Sequence, residues 1–540
     1  MRTRIGLGFA ALFLATAACS NSIFVGSDAG GDEDGGVVPV NGGGDASSPV
    51  DAAPPPNCDT TKLPTDDKCV VNDAEGIFVS RSMGKAGGNG SQESPLASLD
   101  AAITMAKQAG RRVYACAETY PEQVHFADGV SMFGYFVCGS AWTIDTSKHA
   151  KVAAPASPAA SAANITTLTR VEAIDVYAPD LTTGSQSSIA LLATSSPALT
   201  FKGATIHAGT GGKGADGTNG VQLTDSGSAK NGKNARGFDV CNGAIGHCLG
   251  PVPESLAGGT NACVGEAGHD PGQGGAGGWD GRFLSQFSST YLVYEWAVNG
   301  QDSTYGFPSV GTSATTQGGS WGISPVNGAA GANGTDGASG GSFGTLSASG
   351  YGTADGTAGS DAAPGQGGGG AAGQGMQNSM ANANSYENVG AHGESGASGG
   401  AGGCPGLAGT SGKGGGASIA VVAIASAFTL DTVTIETSAG GAGGAAGNGS
   451  ANTKGGTGGA AVQYTVHAAN GGDGGIAGVS GNGGGGPSIG IAYQGTAPTQ
   501  LASKITVGSG GSGVAASTDT GSGKTIPASA SGVSVNSYAF

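Results

Sequence analysis

The chain has 540 residues, 109 of them glycine, and only 11% of its residues are charged. Glycine usually makes up about 7% of a protein, so this composition indicates a repetitive, glycine-rich chain. The formal net charge of −16 excludes a nucleic-acid-binding surface, because phosphate binding needs clustered Lys and Arg side chains.

Residues 1–18 are predicted to be an export signal. A basic start precedes an apolar run from Ile5 to Leu14, which is shorter than the roughly 20 residues that a transmembrane helix needs. The following Thr16-Ala17-Ala18-Cys19 resembles the lipobox of bacterial lipoproteins. That resemblance implies that Cys19 is lipidated and anchors the protein to the membrane, at the outer membrane or cell surface. Ordinary signal cleavage after Ala17 is the alternative.

Residues 19–75 are predicted to be a disordered, acidic tether that can include a small disulfide loop. The chain has nine cysteines, and lipidation of Cys19 leaves eight. An even number in an exported protein indicates disulfides. Spacing favours two pairs, Cys58 with Cys69 and Cys116 with Cys138. The connectivity of the other four cysteines stays open: Cys241, Cys248, Cys263 and Cys404.

The first ordered unit is predicted over residues 76–208. It starts with a short strand over residues 76–80, followed by a helix over residues 95–109. Ser94 is a plausible N-cap for this helix and Pro95 its first residue, where the missing N–H is tolerated. Two apolar strands come next, at residues 112–116 and 130–138.

The order of these elements resembles the N-terminal unit of pectate-lyase-like right-handed β-helices, over residues 76–140. In that family a short strand, a turn and a capping helix precede a G-x-Y-x-E rung. Here Glu118-Thr119-Tyr120-Pro121-Glu122 occupies the place of that rung. The resemblance implies an all-β protein, a right-handed parallel β-helix with an N-terminal capping helix and long Gly-rich loop insertions. It implies no particular activity, because this architecture serves many functions.

Three repeats indicate further coils of the same kind. Similar segments begin at Ser187, Ala417 and Pro487, and each opens with Ser-Ile-x-aliphatic and closes on a second aliphatic pair followed by Gly. Alternating aliphatics are typical of strands with one face inward. Stacked coils bury an interior that one coil cannot bury alone. We therefore predict that residues 414–540 form the C-terminal coils, and that Cys116 and Cys138 lie on adjacent rungs.

Two Gly-rich insertions interrupt these coils, at residues 209–413 and 439–486. They lack the strict third-residue glycine of collagen and the nonapeptide repeat that binds calcium. We interpret Asp216, Asp336 and Asp473 as solvated turn residues rather than as calcium ligands. Both insertions are expected to project from one edge, so deletion of residues 439–486 should cost little stability. Two alternatives stay open: the insertions are flexible, or they pack as polyglycine-II-like segments.

The Gly-rich runs resemble the PGRS-like repeat domains of mycobacterial surface proteins and Gly-rich lipoproteins of soil bacteria. Within the first insertion, residues 237–325 hold many aromatics and most of the later cysteines. They are predicted to form a disulfide-stapled aromatic subdomain. Its aromatics form either a small core or a carbohydrate-stacking patch. The candidate patch residues are Trp279, Tyr291, Tyr294 and Trp296.

No catalytic motif stands out. The chain has no G-x-S-x-G, H-E-x-x-H or phosphate-binding loop signature, and its seven His residues are scattered. A weak acidic line is conceivable, drawn from Glu172, Asp175, Asp431 and Glu436. We therefore expect no catalytic residue, no cofactor and no metal. The sequence favours a non-catalytic, membrane-anchored surface lipoprotein with a structural or adhesive role, whose partners are glycans or envelope proteins. The alternative is a carbohydrate-binding or polysaccharide-cleaving β-helix protein.

Overall fold

The computed structural model describes residues 58–85, 87–139, 141–226, 228–237, 239–240, 255–278, 282–284, 293–295, 324–373, 391–392, 395–462 and 465–540. The described chain is rich in strands, at 26% strand and 4% helix, and most strands pair in parallel sheets. Several predicted functional residues lie outside the described residues: Cys19, Cys241, Cys248, Trp279, Tyr291 and Trp296.

Three parallel sheets form the body. Sheet A contains Gly76–Val79, Arg112–Cys116, Met132–Val137, Thr169–Glu172, Leu199–Lys202, Thr429–Asp431 and Thr499–Leu501, with Thr143–Ile144 added antiparallel. Sheet B contains Thr119–Tyr120, Ala150–Ala153, Ile174–Tyr177, Thr205–Ala208, Thr434–Thr437 and Lys504–Thr506. Sheet C contains Val124–Phe126, Ala160–Ala163, Ser188–Thr194, Ser418–Ile424, Ser488–Gln494 and Ser534–Ala539. From Arg112 onward the chain passes through sheets A, B and C in constant rotation.

Short helices and antiparallel strand pairs lie outside these three sheets. The α-helix is Leu99–Ala109, and two 3-10 turns are Lys68–Val70 and Ser228–Lys230. Antiparallel pairs join Thr224–Asp225 to Cys263–Val264, Thr345–Ser347 to Gly350–Gly352, and Ser517–Thr518 to Thr525–Ile526. A further small sheet contains Asp239–Val240, Arg282–Leu284, Val293–Glu295 and Ala391–His392.

The interior is built from aliphatic rows that run across successive turns. In sheet B, Ile206 pairs in register with Ile435, which pairs with Ile505. Thus the aligned repeats stack as the sequence predicts. In sheet A, Phe201 pairs with Leu430, and both are fully buried. In the last turn polar residues occupy some of these positions, because the residue that pairs in register with Leu430 is Gln500.

One row of aliphatics faces outward, which the sequence analysis did not predict. Ile189, Ile419 and Ile489 pair in register but belong to a cluster outside the main core. The strict alternation fails because neighbouring Ala190 and Leu191 both belong to the inner core. Val535 of the C-terminal strand extends the outward row, because it pairs in register with Ile489, and the hairpin at residues 343–352 covers the row.

The helix begins later than predicted. Its N-cap is Ser98, not Ser94, because Leu96 bridges Val79 and extends the edge of sheet A. The Glu122 carboxylate accepts hydrogen bonds from the Leu99 N–H (2.8 Å) and the Ser98 hydroxyl (2.6 Å). A carboxylate at this position satisfies unpaired N–H groups and favours the helix dipole. The last residue of the E-T-Y-P-E segment therefore caps the helix.

The predicted tether 19–75 is too long, because residues 58–75 pack on the folded body. Val70 is fully buried, and the Tyr114 hydroxyl donates a hydrogen bond of 2.6 Å to its carbonyl oxygen. Leu63 and Val71 pack against an aromatic cluster on the outer face of sheet A. These apolar side chains gain burial that a solvated tether would not provide.

All long excursions leave the body at one corner, between sheet B and sheet C. The first runs from Ala208 to Ser418, the second from Thr437 to Ser488, and a third from Thr506 to Ser534. This common corner agrees with the expectation that the insertions project from one edge. It also brings the excursions side by side.

Candidate functional site

The excursions form a hydrogen-bonded assembly, which we call the glycine lattice. It contains residues 209–226, 228–236, 255–278, 324–341, 354–373, 395–416, 439–462, 466–487 and 508–533. The N–H groups of Gly211, Gly214 and Gly217 donate to the carbonyls of Ala439, Ala442 and Ala445 over 2.7–2.9 Å. A bond at every third residue matches a helix of the polyproline-II type, which has three residues per turn and no internal hydrogen bonds.

Segment 466–487 lies inside the lattice and bonds to several neighbours. Its carbonyls accept from Gly331 of segment 324–341 (2.8 Å) and from Gly403 of segment 395–416 (2.9 Å). Its own glycines donate to two more segments, Gly474 to Thr453 and Gly475 to Ala363. The insertions therefore pack as polyglycine-II-like segments. The expectation for the deletion of residues 439–486 is reversed, because that deletion removes an integral part of the lattice.

Glycine is required at the contact positions for steric reasons. A Cβ added at Gly214 would lie closer than 3.0 Å to the carbonyl oxygen of Lys413. The sequence contains the matching signal as short period-three runs. These runs did not indicate a lattice because they are shorter than the uninterrupted repeat of collagen. They are Gly211, Gly214, Gly217 and Gly220, and Gly331, Gly334, Gly337 and Gly340.

Asn-Gly and Asp-Gly dipeptides set the register between parallel segments. The Asn219 Oδ1 accepts from the N–H of Asn448 (2.9 Å), while the Gly220 N–H donates to the carbonyl of the same Asn448 (2.8 Å). We call this arrangement the Asx-Gly clamp. Asp336 and Gly337 hold Val479 in the same way. Each clamp satisfies both backbone groups of one residue on the neighbouring segment.

The three aspartates considered for calcium are hydrogen-bond acceptors within the lattice. Asp216 accepts from the N–H of Ala445, and Asp473 accepts from the N–H of Gly455. Asp336 accepts from Val479 and pairs with Lys524 at 2.9 Å. Within the described residues, the only group of three candidate metal ligands includes Cys58 and Cys69, which are joined by a disulfide.

Acid is expected to weaken the lattice through these carboxylates. The Ala445 N–H lowers the pKa of Asp216, and the Lys524 ammonium together with the Val479 N–H lowers the pKa of Asp336. A carboxyl whose pKa is lower in the folded state stabilises above its unfolded pKa of about 3.9 and loses that contribution as pH falls. These carboxylates should leave the urea midpoint unchanged down to about pH 5 and lower it below about pH 4.

The matched variant for this prediction is Asp336→Asn. Asparagine keeps an acceptor oxygen for Val479 but does not titrate in this range, so it should reduce the acid-dependent decrease. An acid profile that is unchanged by this substitution would show that Asp336 does not contribute.

Titratable side chains cluster on the outer surface of sheet B. The Nδ1 of His149 lies 3.0 Å from the Oδ1 of Asp175. The Nζ of Lys151 lies 3.7 Å from the centroid of the Tyr177 ring, a cation–π distance. We call this cluster, together with His207 and Glu436, the sheet-B row.

The next turns extend the sheet-B row. Tyr177 pairs in register with His207, which pairs with Glu436, and the rings of Tyr177 and His207 have centroids 5.2 Å apart. The Nδ1 of His207 lies 3.5 Å from a carboxylate oxygen of Glu436. Burial, with smaller contributions from Asp175 and Glu436, raises the pKa of Tyr177. The buried Nδ1 of His207 makes no hydrogen bond, whereas the imidazole of His149 is hydrogen-bonded to Asp175. An imidazole oriented by a carboxylate in this way is suited to hydrogen bonding and to proton transfer.

The pairing of His149 is expected to appear in its titration. The hydrogen bond to Asp175 raises the pKa of His149 above its ordinary value of 6.5, against the opposing effect of burial. This pair therefore stabilises the fold below about pH 6.5, and the contribution is lost as pH rises through the folded pKa. Histidine NMR of Asp175→Asn should show a lower pKa for His149. An unchanged titration would contradict the pairing.

The conceivable acidic line is divided between two sheets. Glu172 and Asp431 lie in sheet A, where Lys202 pairs in register with both. Burial raises the pKa of Glu172, and the Nη1 of Arg170 lies 3.7 Å from its carboxylate. Asp175 and Glu436 belong to the sheet-B row. The four acids therefore do not form one continuous site.

Disulfides join three cysteine pairs among the described residues. Cys58 is bonded to Cys69 and Cys116 to Cys138, the two pairs that spacing favoured. Cys263 is bonded to Cys404, a connectivity that the sequence left open. Cys404 is fully buried in a small apolar cluster with Leu223 and Leu407. This bond links two segments of the glycine lattice.

The predicted ligand patch is described only at Tyr294, whose strand Val293–Glu295 is paired with Arg282–Leu284. A different aromatic cluster contains Phe343, Tyr351, Tyr538 and Phe540. The rings of Phe343 and Tyr538 stack with centroids 3.9 Å apart. These rings attach the hairpin of the first insertion to the last strand of sheet C, which indicates a packing role.

Within the described ranges, no helix combines the length and the apolar character needed to cross a bilayer. No protein-family model, curated protein or solved structure matches the chain.

Proposed function

We propose that the chain is a non-catalytic, lipid-anchored bacterial surface lipoprotein whose body is a right-handed parallel β-helix. The constant rotation through three parallel sheets and the helix at the first turns support this architecture. The export-signal pattern ending at Cys19 supports the anchor. The role is structural or adhesive, in contacts between the cell and its surroundings, with envelope proteins or glycans as partners.

The observation that carries this proposal is the glycine lattice. Its segments are tied by backbone hydrogen bonds at every third residue, which gives a long excursion a fixed shape without a large apolar core. Its Lys and Asp side chains pair locally, as in Lys413 with Asp355 at 3.0 Å. A rigid, mostly uncharged platform of small residues suits extended contact surfaces better than it suits catalysis. The resemblance to PGRS-like surface domains agrees with this role.

The adhesive role is tested with bacteria that display the full-length protein. Cells with the wild type are expected to aggregate or to adhere to matrix-coated surfaces more than cells without it. Cys19→Ala should release the protein from the membrane and abolish the effect. The variant Gly237→Ala, at an exposed position with no atom within 4 Å of an added Cβ, is the matched control. Equal behaviour of displaying and non-displaying cells would contradict the adhesive role.

The sheet-B row supports a second candidate function, carbohydrate binding or cleavage. The phenol, imidazole and carboxylate groups of this row can hydrogen-bond the hydroxyls of a sugar. Saturable binding to a defined glycan should be lost in Tyr177→Ala. It should persist in Thr506→Ala, at the far end of the same register row. New reducing ends released from a polysaccharide would indicate cleavage, and failure of all glycans to bind would remove this candidate.

A further inference from the structure

The glycine lattice contains an unusual number of Asn-Gly dipeptides. Seven lie among its described residues, at 219–220, 231–232, 327–328, 333–334, 448–449, 470–471 and 482–483. Asn-Gly is chemically fragile because glycine has no side chain to shield its backbone nitrogen. That nitrogen loses its proton to base and attacks the asparagine Cγ. A new N–Cγ bond forms, and the Cγ–NH2 bond breaks as the leaving nitrogen takes up a proton and departs as ammonia. Water then opens the resulting succinimide at either carbonyl, giving aspartate or isoaspartate.

Hydrogen bonds hold both reacting groups at all seven dipeptides. In four of them, the Asx-Gly clamp fixes the Asn Oδ1 and the Gly N–H on one residue. The clamped residues are Asn448, Thr457, Asn470 and Ile476. The attacking nitrogen and the target carbonyl carbon are thereby kept in a fixed, extended arrangement.

The other three dipeptides are held by separate partners. Asn448 accepts from the N–H of Thr520, and the N–H of the following Gly449 donates to Asp519 over 2.6 Å. Asn470 and Asn482 accept from the N–H groups of Gly458 and Ala446, over 2.8 Å in both cases, and their glycines donate to lattice carbonyls.

From solvent exposure alone, the lattice asparagines would be expected to deamidate readily. Asn219, Asn231, Asn327, Asn333 and Asn470 are exposed, so water and base reach them freely. Ring closure nevertheless requires breaking the hydrogen bond of the glycine N–H and rotating the asparagine side chain away from its donor. Both changes open the contact between two lattice segments. The reaction must therefore proceed through local opening, and its rate follows the opening equilibrium.

We propose that the glycine lattice protects its asparagine-glycine bonds from deamidation. The clamp thus has two roles: it sets the register between segments, and it keeps the asparagines that set that register from deamidating. Asp216 and Asp336 occupy clamps of the same geometry. A clamp therefore tolerates aspartate, whereas isoaspartate lengthens the main chain by one carbon and breaks the three-residue period.

Asn89-Gly90 provides an internal reference outside the lattice. The Asn89 Oδ1 accepts from the N–H of Ser91, and the Gly90 N–H donates to the carbonyl of Ser94. Both partners lie in the same local turn, in which Asn89 is exposed and Gly90 is buried. Opening this turn separates no lattice segments, so Asn89 should react faster than the lattice asparagines.

The test is peptide mapping by mass spectrometry after prolonged incubation of the full-length protein at mildly alkaline pH. A parallel sample is kept unfolded in guanidinium. We expect the seven lattice asparagines to deamidate at least about tenfold more slowly in the folded protein than in the unfolded one. Asn89 should show a smaller ratio. Equal rates in the folded and unfolded samples at the lattice sites would overturn the proposal.

A lattice variant separates this protection from general folding. Gly478→Ala places a Cβ against the carbonyl of Thr335, next to the clamp at Asn333. Deamidation at Asn333 should accelerate, while Asn219, which contacts a different segment, should change less. Gly237→Ala should leave every rate unchanged. If Asn333 stays protected although hydrogen exchange shows that its segment has opened, the proposal fails.

Discussion

Replacement of Gly478 by alanine is expected to lower the free energy of unfolding by about 2 to 4 kcal/mol. Gly478 lies in the central segment 466–487, and its N–H donates to the carbonyl of Ser360 over 3.0 Å. An added Cβ would overlap the carbonyl of Thr335, and it would lie 3.1 Å from the nitrogen of Ser360. Both neighbours are backbone atoms, which cannot rotate away as a side chain would.

Urea unfolding checks this prediction, and hydrogen exchange locates its effect. Exchange should accelerate in segments 324–341 and 354–373, which flank Gly478, before it changes in the three sheets. The control is Gly237→Ala, which should change stability by less than about 1 kcal/mol. Equal midpoints for the two variants would show that the lattice does not contribute to stability.

The double replacement Cys263→Ser with Cys404→Ser is expected to lower the free energy of unfolding by about 3 to 5 kcal/mol. The bond closes a loop with a sequence separation of 141, and the chain-entropy contribution of a disulfide grows with loop length. Cys404 is also fully buried, so each serine introduces a hydroxyl into an apolar cluster. Both effects act in the same direction.

The matched comparison is the pair Cys58→Ser and Cys69→Ser, whose sequence separation is 11. Loss of this shorter loop should lower the free energy of unfolding less, by a difference of about 2 kcal/mol in the chain-entropy model. Urea unfolding of both double variants gives the ranking. A larger loss for the short loop would mean that the Cys263–Cys404 bond does not hold the lattice together.

The parallel pairing of the repeats could be predicted because apolar periodicity is a local signal. Ile206, Ile435 and Ile505 occupy equivalent places in the three repeats, and they pair in register. Parallel strands of one face accumulate aliphatic residues, so the pattern survives in each repeat. The outward position of Ile189 was missed, because a local break in alternation cannot be seen from residue types alone.

The glycine lattice and the helix start could not be predicted from local patterns. The clamp partners Asn219 and Asn448 are 229 residues apart, and glycine has no side chain that would reveal its neighbour. Ser98 replaces Ser94 as the N-cap because Leu96 bridges Val79, and Glu122 of a later turn then caps the helix. The period-three glycine runs with Asx before Gly were the available signal, and they predict similar lattices in other chains.

Intact-mass analysis of the protein purified from bacterial membranes, before and after reduction, tests the proposed surface lipoprotein most directly. We predict a chain that begins at Cys19, carries an acyl mass and gains eight hydrogens on reduction, one for each of the other cysteines. An unlipidated chain that begins near Ala18, with an odd thiol, would contradict the anchor. It would favour a released, carbohydrate-binding protein instead.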